Sequence, residues 1–291
     1  MKVGITGASG QLGTALVRHA LDRTSATNIT AITRNPGKVE PFSQQGIEVR
    51  AGDFSQPSAL AAAFRDIDRL VIIPTTELRP GVRIQQHRAA IEAAAGSGIQ
   101  HLIYISTVSP RPDPNNSLFD SHFATEQALI ASGVDWTILR MSVYTDAFLD
   151  AAKRAAASGS YGAVPGAPAA YVVRDDLAAA AAGILCNPGH VGITYHATGP
   201  ASLTQPEIAD AIAKASGKPI PFLAITEEQQ RAGLEAAGLP PAVVSTILGF
   251  QAALRAGAFD LVTGDVARLS GKPAQSPLQF LTRAFGRATP A

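Results

Sequence analysis

Short apolar runs alternate with longer amphipathic segments through the first half of the chain. Runs rich in β-branched residues predict the strands Val3–Thr6, Ile29–Thr33, Glu48–Ala51, Leu70–Ile73, His101–Ser106 and Trp136–Arg140. Helical periodicity between these runs predicts the helices Gln11–Leu21, Pro36–Gln45, Pro57–Phe64, Gly81–Ala95 and Phe119–Ala131. Strands joined by right-handed helical crossovers pair in parallel. This order therefore predicts an α/β fold with a doubly wound parallel sheet of the Rossmann type.

The pattern changes after Met141, where alanine-rich helical segments are separated by Pro/Gly loops. The predicted helices here are Asp146–Ala157, Asp175–Cys186 and Gln205–Ala215, followed by a run of helices from Thr226 to Arg255. We therefore expect a Rossmann-type lobe over residues 1–142 and a smaller, mostly helical lobe over residues 143–291. Part of the segment 171–198 is expected to pack back on the sheet of the first lobe.

Composition narrows the classes of function. A net charge of +1 without charge runs provides no general attraction to nucleic acid or to an anionic membrane surface, so neither is expected as a partner. Cys186 is the only cysteine, which excludes an internal disulfide, and the first residues form a strand rather than a signal sequence. The longest apolar stretches, such as Leu177 to Cys186, are too short to span a bilayer. These features predict a cytoplasmic protein.

A glycine-rich turn joins the first predicted strand to the first predicted helix. It reads Gly7-Ala8-Ser9-Gly10-Gln11-Leu12-Gly13. In a dinucleotide site the first glycine permits a tight turn, the second lets the backbone approach a pyrophosphate, and the third lets helix and strand pack closely. Glycines also mark ordinary turns, but the position directly after a strand favours cofactor binding by Gly7, Ala8, Ser9, Gly10, Gln11 and Leu12.

Arg34 ends the second predicted strand, about twenty residues beyond the glycine turn. Enzymes that use NAD usually have a carboxylate at this position, which binds the ribose hydroxyls, whereas a guanidinium pairs with a 2′-phosphate. The residue therefore predicts that NADP(H) is preferred over NAD(H), with Lys38 adding a second positive charge one helical turn later. The alternative is that Arg34 is a solvated surface residue.

Other candidate cofactor contacts follow the next strands. Asp53 is expected near the adenine amino group and Phe54 against the ring, although core packing is an equal alternative for Phe54. The segment Ile73-Pro74-Thr75-Thr76 suits a loop over the ribose or the nicotinamide, because its hydroxyls are small. His87 on the next helix is a further candidate, with an exposed helical histidine as the more common case.

The fifth and sixth strands end in Ser106-Thr107 and Met141, which we also assign to the cofactor site. Reduction of a ketone creates an alkoxide and needs a tyrosine made acidic by a lysine one helical turn on. The residues four positions after the five tyrosines are Val108, Phe148, Pro165, Asp175 and Gly199. No tyrosine therefore has the lysine partner, which argues against a carbonyl reductase or a sugar epimerase. A quinone or a cationic dye, in contrast, accepts hydride without a strong protein acid.

Two residues are candidates for catalytic roles. His122 occupies the place of the missing tyrosine and is a candidate acid or hydrogen-bond donor, with a structural histidine as the alternative. Tyr144, just past the sixth strand, is a candidate wall of the acceptor pocket, with core packing as the alternative. The histidines are scattered without ligand spacing, so no metal site is expected.

Five segments together resemble the NmrA-like atypical short-chain dehydrogenases. They are Gly7–Gly13, Arg34-Asn35-Pro36, His122-x-x-Thr125-Glu126, Asp135–Arg140 and Tyr144-Thr145-Asp146. The resemblance implies NADPH bound by the glycine turn and Arg34, with a quinone or dye-like acceptor held between the lobes. The family also includes members that bind the dinucleotide without turnover and sense redox state. Met141 is a departure, because the two reductases of the family that the chain most resembles have asparagine after the sixth-strand arginine, on the polar side of the nicotinamide pocket.

We therefore expect an NADPH-dependent oxidoreductase that transfers hydride directly to a quinone or a similar conjugated acceptor. A dinucleotide-sensing regulatory protein without turnover is the first alternative, and an NAD-dependent epimerase or carbonyl reductase is the second. The oligomeric state is left open, with a homodimer among the possibilities.

Overall fold

A seven-stranded parallel sheet forms the centre of the first of two units. The computed structural model describes residues 1–77, 79, 81–113 and 117–286. The strands are β1 Val3–Thr6, β2 Ile29–Thr33, β3 Glu48–Ala51, β4 Arg69–Ile72, β5 His101–Thr107, β6 Asp135–Met141 and β8 Ile193–Ala197. Their order across the sheet is β3-β2-β1-β4-β5-β6-β8. The change of direction at β1 is the switch point of a doubly wound sheet.

The first unit also contains helices. They are α1 Gln11–Leu21, α2 Glu40–Ser43, α3 Pro57–Ala63, α4 Val82–Gly96, α5 Ser117–Ile130, α7 Arg174–Cys186 and α11 Asp265–Ser270. Every residue of β1, β2 and β5 is buried, as expected for strands covered on both faces. Side chains from Ile72, Tyr104 and Ile91 are part of a buried apolar cluster in this unit. The predicted α/β fold class is confirmed.

The predicted helix Pro36–Gln45 is wrong in detail. The structure has a 3-10 turn over Pro36–Val39, followed by the single-turn helix α2. The break falls at Val39, whose φ of −123° lies outside the helical region. Pro41, two residues after Val39, has no N–H to carry a helical hydrogen bond across the break.

The first unit comprises Met1–Met141, Asp175–Ala197 and Asp265–Lys272. The segment Asp175–Ala197, within the range 171–198 expected to return to the sheet, supplies β8, which pairs with β6. The segment Asp265–Lys272 falls in the range predicted for the second lobe, but it belongs to the first unit. A Cβ added to Gly183 of α7 would lie 2.0 Å from the carbonyl oxygen of Leu269, so α7 and α11 touch through their backbones.

The second unit comprises Ser142–Arg174, Thr198–Gly264 and the segment from Pro273 onward, of which residues 287–291 lie outside the described residues. Its elements are α6 Leu149–Ser158, β7 Tyr161–Ala163, α8 Gln205–Ser216, β9 Phe222–Ala224, α9 Glu227–Ala236, α10 Pro241–Arg255 and α12 Pro277–Gly286. The 3-10 turn Thr145–Phe148 replaces the first turn of the predicted helix Asp146–Ala157. The unit is mostly helical, as predicted, with one small β7–β9 ladder that the sequence analysis did not predict.

Helix ends in the second unit follow local rules. Thr204 caps α8 and Thr226 caps α9, each in a capping box. No helix in the described part of the chain is both long enough and apolar enough to cross a membrane.

Candidate functional site

A cleft of about 520 Å³ opens at the carboxyl ends of the strands on both sides of the switch point. The residues that line it all belong to the first unit: Thr6, Gly7, Ser9, Gly10, Thr33, Arg34, Gly52, Asp53, Phe54, Ile73, Pro74, Thr75, Thr76, Glu77 and Gln86. This is the position at which doubly wound sheets bind ligands.

The glycine turn forms the floor of the cleft. Gly7 has a φ of +62°, and its carbonyl oxygen accepts a hydrogen bond from the Gly10 N–H at 2.9 Å. A Cβ on Gly13 would lie 2.2 Å from that same oxygen, so only glycine lets α1 pack against the turn. The first turn of α1 has neither a side-chain cap nor an acidic residue. Its free N–H groups therefore suit an anion such as a pyrophosphate.

The predicted residues of this turn differ in what they expose. The side chains of Ala8 and Leu12 are buried, and the Ala8 N–H donates to the Ile32 carbonyl oxygen at 3.1 Å. Neither side chain lines the cleft, so a contact from Leu12 to a ligand would be through its backbone. Gln11 is exposed at the start of α1.

Ser9 ties the turn to the end of β2. Its Oγ lies 2.7 Å from Oγ1 of Thr33, and the Thr33 oxygen also accepts the Asn35 N–H at 3.3 Å. These bonds hold the backbone on both sides of Arg34. Thr33 was missed by the sequence analysis, although its place at the end of a strand was a usable signal.

Arg34 lines the cleft as an exposed residue, and it forms no ion pair with any carboxylate in the described part of the chain. Lys38 is also exposed, in the turn Pro36–Val39, but it is not among the residues that line the cleft. A guanidinium that is free of protein carboxylates is available to an anionic ligand.

The turn after β3 contributes Gly52, Asp53 and Phe54. A Cβ on Gly52 would lie 2.5 Å from Cγ2 of Ile32, so the close approach of these strands requires glycine. Oδ1 of Asp53 accepts the Ser55 N–H at 2.9 Å, which shapes the turn. Phe54 belongs to the same buried apolar cluster as Ile72 and Tyr104 and also lines the cleft, so its two proposed roles are compatible.

Thr6 fixes the far side of the cleft. Its hydroxyl donates to the Val71 carbonyl oxygen and accepts the Ile73 N–H, both at 3.0 Å. The bonds join β1 to the loop after β4, where Ile73, Pro74, Thr75 and Thr76 all line the cleft. Oγ1 of Thr75 is buried and has no hydrogen-bond partner in the described part of the chain. Thr6, Glu77 and Gln86 also line the cleft and were not among the residues predicted from the sequence.

His87 is fully buried and lies behind this loop rather than in the cleft. The Thr75 N–H donates to its Nε2 at 3.1 Å, so the neutral ring carries its proton on Nδ1. That proton is donated to Oγ1 of Thr125 at 2.9 Å, and Thr125 donates to the Ser121 carbonyl oxygen at 2.6 Å. Burial, with a contribution from the charge of Arg83, lowers the pKa of His87 to about 3. His87 therefore positions Thr75.

His122 is also fully buried. Nη2 of Arg83 donates to its Nε2 at 3.1 Å, and its Nδ1 lies 2.8 Å from Oη of Tyr104. Oγ of Ser106 is 3.5 Å from the same Nδ1. Burial lowers the pKa of His122 well below its usual value. Both ring nitrogens are thus engaged within the protein, and the ring is neutral.

The remaining predicted residues lie away from the cleft. Ser106 and Thr107 are buried at the end of β5, and the Val108 N–H donates to the Met141 carbonyl oxygen at 3.0 Å. Tyr144 belongs to the second unit, where the guanidinium carbon of Arg174 lies 4.9 Å from its ring centroid. Burial raises the pKa of Tyr144.

The described residues contain no cluster of three or more His, Cys, Asp or Glu side chains suited to a metal ion.

A family model described as NAD(P)H-binding matches residues 7–188, a range that contains every cleft-lining residue named above except Thr6. The chain belongs to this NAD(P)H-binding family. The match confirms the resemblance drawn from the sequence motifs, and the glycine turn and cleft are thus parts of an NAD(P)H-binding fold.

Two curated proteins are similar to this chain over nearly its whole length. Quinone oxidoreductase 2 of Escherichia coli is 32% identical over 97% of this chain and 98% of that protein. NAD(P)H azoreductase of Xenophilus azovorans is 26% identical over 98% of this chain and 99% of that protein.

Solved structures of two reductases are also similar to this chain over nearly its whole length. The NADPH complex of the quinone oxidoreductase from Escherichia coli has a TM-score of 0.91 at 31% identity, covering 97% of this chain and 99% of that chain. The NADP(H) complex of triphenylmethane reductase from Citrobacter sp. has a TM-score of 0.87 at 28% identity, covering 98% of this chain and 99% of that chain.

Proposed function

We propose that this protein is an NADPH-dependent oxidoreductase that transfers hydride to a quinone or a similarly conjugated acceptor. The observation that carries the proposal is Arg34, a cleft-lining guanidinium without a carboxylate partner in the described part of the chain. Relatives of full length include a quinone oxidoreductase and an azoreductase, and the solved neighbours include NADPH and NADP(H) complexes. These names support both the cofactor and the class of acceptor.

The residues of the cleft fit the dinucleotide. The N–H groups in the first turn of α1 would bind the pyrophosphate, Gly10 would let the backbone approach it, and Gly13 lets α1 pack against the glycine turn. Arg34 would bind the 2′-phosphate, which is the basis for preferring NADPH over NADH. Asp53 and Phe54 would contact the adenine. NADPH, when bound, supplies a hydride from its nicotinamide ring.

The side chains that could donate a proton to the reduced acceptor support a conjugated acceptor. No tyrosine has a lysine four residues later, and the pKa of Tyr104 is raised by burial. The two nitrogens of His122 are occupied by Arg83 and Tyr104. Acceptors that delocalise the added negative charge, or that begin with a positive charge, do not require a strong protein acid. Tyr144 is proposed to wall the acceptor pocket.

Steady-state oxidation of NADPH in the presence of 1,4-benzoquinone or 1,4-naphthoquinone tests the function. We expect turnover that saturates in both NADPH and quinone. Binding of NADPH without oxidation across a broad panel of quinones, azo dyes and triphenylmethane dyes would reject the enzyme and favour the sensing protein. A cytoplasmic location stays a prediction from the sequence, and the oligomeric state stays open.

A further inference from the structure

The strand order divides the cleft into two ends. The glycine turn follows β1, while Arg34 follows β2 on one side and Thr75 follows β4 on the other. A dinucleotide bound to a doubly wound sheet crosses the switch point, with its two nucleotide halves on opposite sides. If Arg34 binds the adenosine half, as the proposed function holds, then the end formed by the β4 loop and α4 faces the nicotinamide half.

Gln86 lines this second end and was not among the residues singled out by sequence. It lies in the second turn of α4, and its Oε1 is shielded from solvent without a hydrogen-bond partner in the described part of the chain. Thr75 lines the same end, and its Oγ1 is also buried without a hydrogen-bond partner in the described part of the chain. Buried polar atoms in native proteins nearly always have partners, so two such atoms at one end of a cleft require an explanation.

Packing behind the cleft keeps Thr75 and Gln86 together. His87, the neighbour of Gln86 along α4, accepts the backbone N–H of Thr75 at 3.1 Å and is itself held by Thr125 at 2.9 Å. Every hydrogen bond of the His87 ring is therefore directed to the protein. The loop is tied to the helix at this point, while the Thr75 hydroxyl and the Gln86 amide oxygen remain available to a ligand.

The chemistry of these atoms selects the ligand group. An amide oxygen only accepts hydrogen bonds. Phosphate oxygens and quinone carbonyls are also acceptors, so neither satisfies Oε1 of Gln86. The nicotinamide riboside half of NADPH offers donors, namely the ribose hydroxyls and the carboxamide N–H groups. We infer that Gln86, together with Thr75, binds the nicotinamide riboside half of the cofactor, with Oε1 accepting a hydrogen bond from it.

Binding of cofactor fragments tests this inference. NADPH and 2′,5′-ADP, which lacks the nicotinamide half, are titrated into the wild type and into the variants Gln86→Ala and Gln86→Met. We expect both variants to weaken NADPH binding about tenfold, because one hydrogen bond to a buried acceptor is lost, and to leave 2′,5′-ADP binding unchanged. Gln85→Ala, an exposed neighbour on the same helix, is the matched control and should change neither.

Equal weakening of NADPH and 2′,5′-ADP, or wild-type affinity of Gln86→Met for NADPH, would overturn the inference. Thermal unfolding of each variant shows that it is folded, and Gln86→Met keeps the length of the side chain. If the wild type binds neither NADPH nor 2′,5′-ADP, the proposed function itself fails. If the wild type binds NADPH and 2′,5′-ADP, and the Gln86 variants bind both with wild-type affinity, only the role of Gln86 is rejected.

The 3-acetylpyridine analogue of NADPH, which has no carboxamide N–H, identifies the donor. If the carboxamide donates to Gln86, Gln86→Ala causes no further loss of affinity for the analogue. If a ribose hydroxyl donates, the loss caused by Gln86→Ala is the same for the analogue and for NADPH. Thr75→Val, which removes only the hydroxyl, is expected to weaken NADPH and not 2′,5′-ADP.

Discussion

The guanidinium of Arg83 donates a hydrogen bond to Nε2 of His122, with 3.1 Å between the nitrogen atoms. Because an arginine can only donate, Nε2 is unprotonated and the ring holds its proton on Nδ1, 2.8 Å from the Tyr104 oxygen. Both residues are buried, and no carboxylate pairs with Arg83 in the described part of the chain. This pairing determines which protonation state of His122 is stable.

The pairing makes the role of His122 testable. If His122 is structural, His122→Ala leaves Arg83 and Tyr104 without their partner and lowers the free energy of unfolding by about 2–4 kcal/mol. The turnover number of the folded variant should then change by less than about threefold. Chemical denaturation and quinone reduction at saturating NADPH measure the two quantities. The sequence-based hypothesis of a proton donor requires the opposite result, a loss of about 100-fold in turnover with little change in stability.

His87 predicts how stability depends on pH. Its pKa is about 3 in the folded protein and 6.5 in its ordinary state, so between these values the unfolded chain binds the extra proton. The contribution of His87 to the free energy of unfolding is therefore fully present above about pH 6.5 and is lost as the pH falls. Between pH 7 and pH 5 the loss is about 2 kcal/mol, and His87→Gln should remove it from the pH dependence of urea unfolding. An identical pH dependence in wild type and variant would contradict the burial of a neutral ring.

Arg34→Ala tests the preference for NADPH. Removing a charge-assisted contact to the 2′-phosphate should weaken NADPH binding by about 10–100-fold and NADH binding by much less, because NADH has no 2′-phosphate. Titration of both cofactors gives the ratio of their dissociation constants. Arg65→Ala, an exposed arginine outside the cleft, is the control. Equal losses for both cofactors would reject the assignment of Arg34.

Gly13→Ala tests the packing of the glycine turn. The added methyl would lie 2.2 Å from the Gly7 carbonyl oxygen, so the turn must move. We expect a loss of about 1–3 kcal/mol in unfolding free energy together with weaker NADPH binding. Gly96→Ala, at the end of α4 with nothing within 4 Å of the new methyl, should be neutral or stabilising. If the two substitutions have the same effect, close packing at Gly13 is not important.

The first half of the fold was predictable because its signals are local. A strand, a glycine turn and a helix follow one another within residues 3–21, and each has its own sequence pattern. The strand β8 was missed because it lies at the edge of the sheet, with partly exposed residues, after a Pro/Gly loop. The strands β7 and β9 have three residues each, too few for an alternating pattern to be recognised.

The environment of polar residues on α4 was not predictable in the same way. Arg83 and His87 are four residues apart and therefore share a helix face, and that face is buried. A polar residue is stable inside a protein when distant groups satisfy its donors and acceptors. Those groups, Tyr104, His122 and Thr125, come from other elements, and no local pattern identifies them.

By itself the sequence determined the doubly wound architecture, the place of the phosphate-binding turn and the positive residue after β2. The signals for these features are the periodicity of apolar residues, the spacing of the glycines and the order of strands and helices along the chain. Each of these signals can be read from residues that are close in sequence. Only the tertiary structure decided that His87 and His122 are neutral and buried, that Asp265–Lys272 packs with the first unit, and that Gln86 and Thr75 have polar atoms without partners among the described residues at one end of the cleft. These features depend on contacts between residues far apart in the chain, whose distances and hydrogen bonds exist only once the chain is folded.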